Sequence, residues 1–188
     1  SRIDEIVKRI EELARRDEEV SREIVKEIRD LAKRDEDTSK RIVEEIKELV
    51  KKIKEELERS KDKEKLARKV DELVRRLREL VKRNHDHSRR VVREMEKLVE
   101  ENHKHSKDVV DTMRDLVRRL EEELDSEDAK RLLDKVRKTV EDLVRRSRKS
   151  NEDVRREVEK LVDRSRKSNT TVERLVRKVV RELRETVR

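Results

Sequence analysis

The chain has 4 histidines, and they fall in two His-x-His pairs, His85/His87 and His103/His105. Each pair sits among small polar residues: Asn84 and Ser88 flank the first, Asn102 and Ser106 the second. Similar clusters occur in the first third, at Asp17 and Ser21 and again at Asp35, Thr38 and Ser39. The last third carries Ser147, Ser150 and Asn151, then Ser165, Ser168 and Asn169. Such residue types could ligate a metal, run nucleophilic catalysis or form a hydrogen-bonded network. Metal ligation fails on spacing if these residues are helical. Residues i and i+2 point about 200° apart and cannot grip one ion. One histidine with Asp17 or Asp35 supplies too few ligands for structural zinc. A Ser-His-Asp site would also need a pocket and donors for an oxyanion, which nothing in the sequence supplies. The expected assignment is therefore no enzyme, no metal and no cofactor. A hydrogen-bonded network remains, and it depends on the elements that carry these residues.

Composition narrows those elements. Gly, Pro, Cys, Phe, Tyr and Trp are absent, 56% of residues are charged and 30% are hydrophobic. Without Gly there is no P-loop or dinucleotide-binding turn. Without Cys there is no disulfide or thiol nucleophile, and without aromatics no platform for stacking bases. No apolar run reaches the roughly 18 residues of a membrane span, and no signal-peptide core is present, so no targeting is expected. High charge alone would suit disorder. The placement of Ile, Leu and Val decides otherwise. Ile3, Ile6, Val7, Ile10 and Leu13, then Ile24, Val25, Ile28 and Leu31, advance in steps of three and four. That spacing paints one apolar stripe along a helix, and the pattern continues to the end of the chain. The fold class predicted is all-α.

Two stretches interrupt the stripe. Residues 58–65 hold no apolar side chain, and Ser60 or Asp62 there could cap a helix; Ser126 could cap another, with Glu127 and Asp128 suiting its N-terminus. Helices are predicted near 2–59, 62–124 and 127–187, folding up-down-up as a three-helix bundle and forming a single domain over 1–188. Within each third the pattern recurs every 18 residues, as in Ile6, Ile24 and Ile42, or Leu77, Met95 and Met113, or Val136, Val154 and Val172. Eighteen residues make about five helical turns, so the stripe keeps to one side of a nearly straight helix. The repeat loses phase at both predicted turns, which separates three helices from one long one.

The polar clusters interrupt that stripe, and the antiparallel arrangement brings them level. Clusters near residues 19 and 37 mirror those near 104 and 86 about a point in the first turn; those near 104 and 86 mirror 149 and 167 about the second. One tier would hold Asp17, Ser21, Asn102, His103, His105, Ser106, Ser147, Ser150 and Asn151. The other would hold Asp35, Thr38, Ser39, Asn84, His85, His87, Ser88, Ser165, Ser168 and Asn169. Their expected separation is about 27 Å at 1.5 Å per residue. A buried polar group left unpaired costs about 1–3 kcal/mol, so such tiers would penalise wrong registers and specify helix pairing. Asn84 and Ser88 lie near the stripe centre, and His85 and His87 flank its edges about 80° away. Histidine titrates near pH 6.5. If a ring accepts from Ser or Asn, acid would loosen the tier and give a pH response; if Asp17 or Asp35 is the partner, it need not.

The formal net charge is +8, and the basic excess lies in the last third, including the repeated Arg-Ser-Arg-Lys-Ser-Asn at 146–151 and 164–169. A basic stripe can bind phosphates, but without a recognition motif the expectation is a solvated face, with no specific nucleic acid and no membrane partner. The chain resembles de novo designed helical bundles built from straight helices with modular buried hydrogen-bond networks. The features that carry the resemblance are the Gly-, Pro- and aromatic-free composition, the 18-residue repeat, the Ser/Asn/His/Asp tiers within Ile/Leu/Val stripes, and a start at Ser1 in place of Met. It departs from them in having no Gly for its loops. The resemblance implies a structural scaffold without natural biochemical activity, with histidines available for a pH response. The alternative is an interaction module whose open apolar groove takes a partner helix or a further copy of itself.

Overall fold

The computed structural model describes residues 2–124 and 126–188. Three α-helices account for nearly all of them: α1 (Arg2–Arg59), α2 (Lys63–Glu123) and α3 (Glu127–Thr186), arranged as a three-helix bundle. Both ends of α1 and the start of α3 fall where the sequence places them, and the start of α2 and the ends of α2 and α3 lie one residue away; at the start of α2, capping decides. Asp62, not Ser60, caps α2: its Oδ1 accepts from the Lys65 amide at 3.3 Å, and its carbonyl accepts from Leu66 at 3.1 Å. Ser60 instead accepts weakly from the Asp62 amide at 3.4 Å. Ser126 caps α3 as its position suggests, taking the Ala129 amide on Oγ at 3.3 Å. No described residue has positive φ. The turn through Ser60 and Lys61 therefore needs no left-handed residue, and Gly has no role to fill there.

The chain packs as two compact units, one comprising residues up to Arg29 with Met95–Glu159, the other Asp30–Glu94 with Lys160–Arg188. Each takes a stretch of all three helices. In the first, Ile10 of α1 packs with Met113, Val117 and Leu120 of α2 and with Val136, Val140 and Val144 of α3. In the second, Ile42, Ile46 and Ile53 meet Val70, Val74 and Leu77 and then Val172, Val176 and Leu183. Ile28, Ile46 and Leu77 are wholly buried. Each such side chain contributes about 1.5–3 kcal/mol of burial. These are the stripe positions read from the sequence.

Charged side chains bridge the seams. In the second unit Lys69 pairs with Glu56 at 2.8 Å and Arg76 with Glu45 at 3.2 Å; in the first, Arg2 pairs with Glu123 at 3.0 Å and Arg137 with Glu121. All are substantially exposed, so each is worth about 0–1 kcal/mol. No described helix is long and apolar enough to cross a membrane.

The caps yield a direct test. Ser126→Ala and Asp62→Ala are each expected to lower stability by about 1 kcal/mol in urea unfolding, whereas Ser60→Ala should change it by a few tenths at most.

Candidate functional site: two buried polar tiers

Each unit holds one polar tier at the level where its apolar stripes are interrupted. In the second unit Asn84 of α2 is the hub. It is 1% exposed. Its Oδ1 accepts from Ser39 Oγ of α1 at 2.8 Å, and its Nδ2 donates to Asn169 Oδ1 of α3 at 2.7 Å. One amide thereby ties all three helices, using one acceptor and one donor in opposite directions. Asp35, also buried, is the second hub. Its Oδ1 accepts from Ser88 Oγ of α2 at 2.8 Å and its Oδ2 from Ser165 Oγ of α3 at 2.8 Å. Ser88 also lies 3.2 Å from Asn169 Oδ1. A hydroxyl has one proton, and the shorter contact to the charged acceptor is the stronger.

The first unit repeats the pattern with residues shifted by 18 positions. Asn102, 1% exposed, accepts from Ser21 at 2.9 Å and donates to Asn151 at 2.6 Å. Ser106 donates to Asp17 at 2.7 Å and lies 3.4 Å from Asn151. Ser147, the counterpart of Ser165, is buried but makes no bond matching Ser165–Asp35. Beside it an open groove of about 610 Å³ runs between α1 and α3 and reaches Asp17, Ser21, Ser147 and Ser150.

The histidines stand apart from these hydrogen bonds. His85 and His103 are exposed, contrary to their expected place inside the tiers. The reason is rotational: a residue next to a stripe-centre Asn is turned about 100° from it, and here that turn carries the ring into solvent. His87 and His105, three positions from the Asn hubs, are half-buried. His87 Nδ1 lies 3.5 Å from Asp35 Oδ1, in ion-pair range but beyond a good hydrogen bond. His87 Nδ1 and His105 Nε2 are both buried without a hydrogen-bond partner. No described serine or asparagine donates to a histidine ring, which is the contact an acid-loosened tier would use. Thr38, Ser150 and Ser168 are half-buried and make no side-chain hydrogen bond among the described residues, while Asn151 and Asn169, also half-buried, are bonded.

Ser21 and Ser39 donate to asparagine amides, and Ser88, Ser106 and Ser165 donate to aspartate carboxylates. Among the described residues no group of three or more His, Asp or Glu is placed to hold a metal ion. What the arrangement does is satisfy buried polar groups across three helices.

What the sequence leaves unread is the pairing within each tier, and the interhelical ion pairs such as Arg137–Glu121. The levels were legible from mirror symmetry: Ser21–Asn102, Ser39–Asn84, Asp17–Ser106 and Asp35–Ser88 all reflect about one point between residues 61 and 62.

No protein-family model matches the chain, and no curated protein matches it. The chain is similar to a solved structure described as a computationally designed three helix bundle, with a TM-score of 0.88 and 18% sequence identity, over 98% of this chain and 91% of that one. The likeness is one of fold.

The geometry ranks the tier residues. Asp35→Asn leaves one of two serine donors without its acceptor and is expected to cost about 1–3 kcal/mol. His85→Ala, at an exposed position, should stay within about 0.5 kcal/mol. Urea midpoints of the two variants against the parent chain test the difference.

Proposed function

We propose that this chain is a designed structural scaffold, in which the two polar tiers specify which helices pair and in what register. The observation that carries this reading is the wiring of Asn84 and Asn102. Each amide is almost wholly buried and spends its oxygen on α1 and its nitrogen on α3. Sliding α1 along α2 by a turn would set Asn84 against Val43 in one direction and Ser88 against Leu31 in the other, at about 1–3 kcal/mol for each stranded donor or acceptor. Apolar stripes discriminate poorly between such slips, since Leu packs on Val almost as well one turn along. The tiers supply the discrimination that the stripes lack. The designed origin draws support from the fold likeness to a designed bundle and from the 18-residue repeat in a chain without Gly, Pro or aromatics. The reading invokes no titration: the bonds that join the helices run between hydroxyls, amides and carboxylates.

An apolar version of one tier tests it. With Asp35, Ser39, Asn84, Ser88, Ser165 and Asn169 replaced together by Ala, Val or Leu, helicity should persist and the melting temperature should hold or rise, because exchanging a whole buried polar network for packing is often neutral or stabilising. Uniqueness should be lost. Light scattering should show mixed oligomers, or amide NMR spectra more than one peak set, where the parent gives one. A variant that stays a single species with a single peak set would refute the role in pairing.

A further inference from the structure

We propose that the α2–α3 groove of the second unit is a docking site for an acidic amphipathic helix. The groove has a volume of about 630 Å³ and is floored by Val81, Val176 and Val180. Val81 and Val180 are only half-buried, so the floor presents apolar surface to whatever lies above it. Arg177, Arg181 and Arg184 stand along one edge on α3, Arg188 lies just past its end, and Arg78 faces them from α2. Spacing of four and three residues places the guanidiniums of Arg177, Arg181 and Arg184 in one row. All five arginines are exposed, and none makes an ion pair among the described residues. Glu173 and Glu185 also line the groove, leaving a net local charge of plus three.

The first unit provides an internal comparison. Its α2–α3 groove, about 450 Å³, also has three valines and five arginines. There Val117, Val140 and Val144 are buried. Three of the arginines are already matched within the chain: Arg118 by Asp115, Arg137 by Glu121 and Arg145 by Asp142. Nothing comparable neutralises the row in the second unit. A row of free guanidiniums beside uncovered valines favours a partner that offers carboxylates at helical spacing with an apolar stripe alongside. An amphipathic helix with Glu beside its Leu seam has that pattern. A polyanion would use the arginines and leave the floor uncovered; a neutral apolar helix would do the reverse.

The test uses the full chain and a fluorescein-labelled synthetic peptide of about three heptads, with Leu at the a and d positions and Glu at e and g. Anisotropy titrations at low salt should show binding that weakens as salt rises. The double variant Arg181→Gln, Arg184→Gln should bind roughly tenfold more weakly, from two exposed charge pairs lost. The double variant Arg145→Gln, Arg148→Gln makes the same change in net charge in the first unit and should bind as the parent does. These surface changes should leave the circular dichroism spectrum unaltered, which keeps the comparison clean. Equal losses in both variants would reduce the effect to general electrostatics and overturn the proposal. So would equal binding of a peptide with Ala in place of Leu, equal binding of a Lys-for-Glu peptide, or no binding at all. A concentration-dependent dimer of the parent that the peptide cannot displace, and that the Arg181/Arg184 variant abolishes, would assign the groove to a second copy of this chain and also overturn it.

Discussion

The bundle depends on one constraint: an amide removed from water must find both a donor and an acceptor within the protein. Asn84 and Asn102 meet it with partners on two different helices, so neither residue is satisfied by any pair of helices alone. The third helix is required at the same level. This differs in kind from the Ile, Leu and Val packing around it. Burial of those side chains supplies most of the free energy of folding, but it is non-directional and tolerant of small slips. A hydrogen bond of 2.6–2.9 Å with a defined angle is not.

The carboxylates of Asp17 and Asp35 extend this logic to charge. Both are buried, and a lone ionised group there would be costly. Asp35 offsets the cost with one hydroxyl on each oxygen, from Ser88 and Ser165. Asp17 takes its hydroxyl from Ser106 and lies beside the α1–α3 groove. The two units thus solve one problem with the same residue types and different degrees of closure. A sequence repeated every 18 residues does not guarantee repeated geometry, since each level also responds to its own neighbours. The α2–α3 grooves make the same point on the surface, with three of five arginines matched in one unit and none in the other.

Much of the architecture was legible in the residues themselves. Steps of three and four between Ile, Leu and Val dictate helices, because that period alone keeps one face dry. Asp62 and Ser126 mark helix starts, because a side-chain oxygen there reaches the amide three residues on. The mirror relation between clusters gave the levels, because antiparallel helices share one rise per residue. The histidines were less legible. His85 and His87 sit on opposite edges of the same stripe, and the pattern treats them alike. Only the position of the adjoining helix makes one exposed and the other half-buried. The choice of Asp62 over Ser60 as the cap was open for a similar reason, since both side chains can fill that role and the path of the turn selects between them.

The amino-acid sequence by itself determined the helices, their number, their dry faces and the levels at which those faces turn polar, because each follows from the fixed 3.6-residue period and 1.5 Å rise of the α-helix. Tertiary structure decided which hydroxyl meets which amide, that His87 faces Asp35 while His85 faces water, and that groove arginines are partly matched in one unit and free in the other. Those outcomes hang on differences of an angstrom or so between side chains on separate helices. No local period encodes such distances; they exist only once the helices are set against one another.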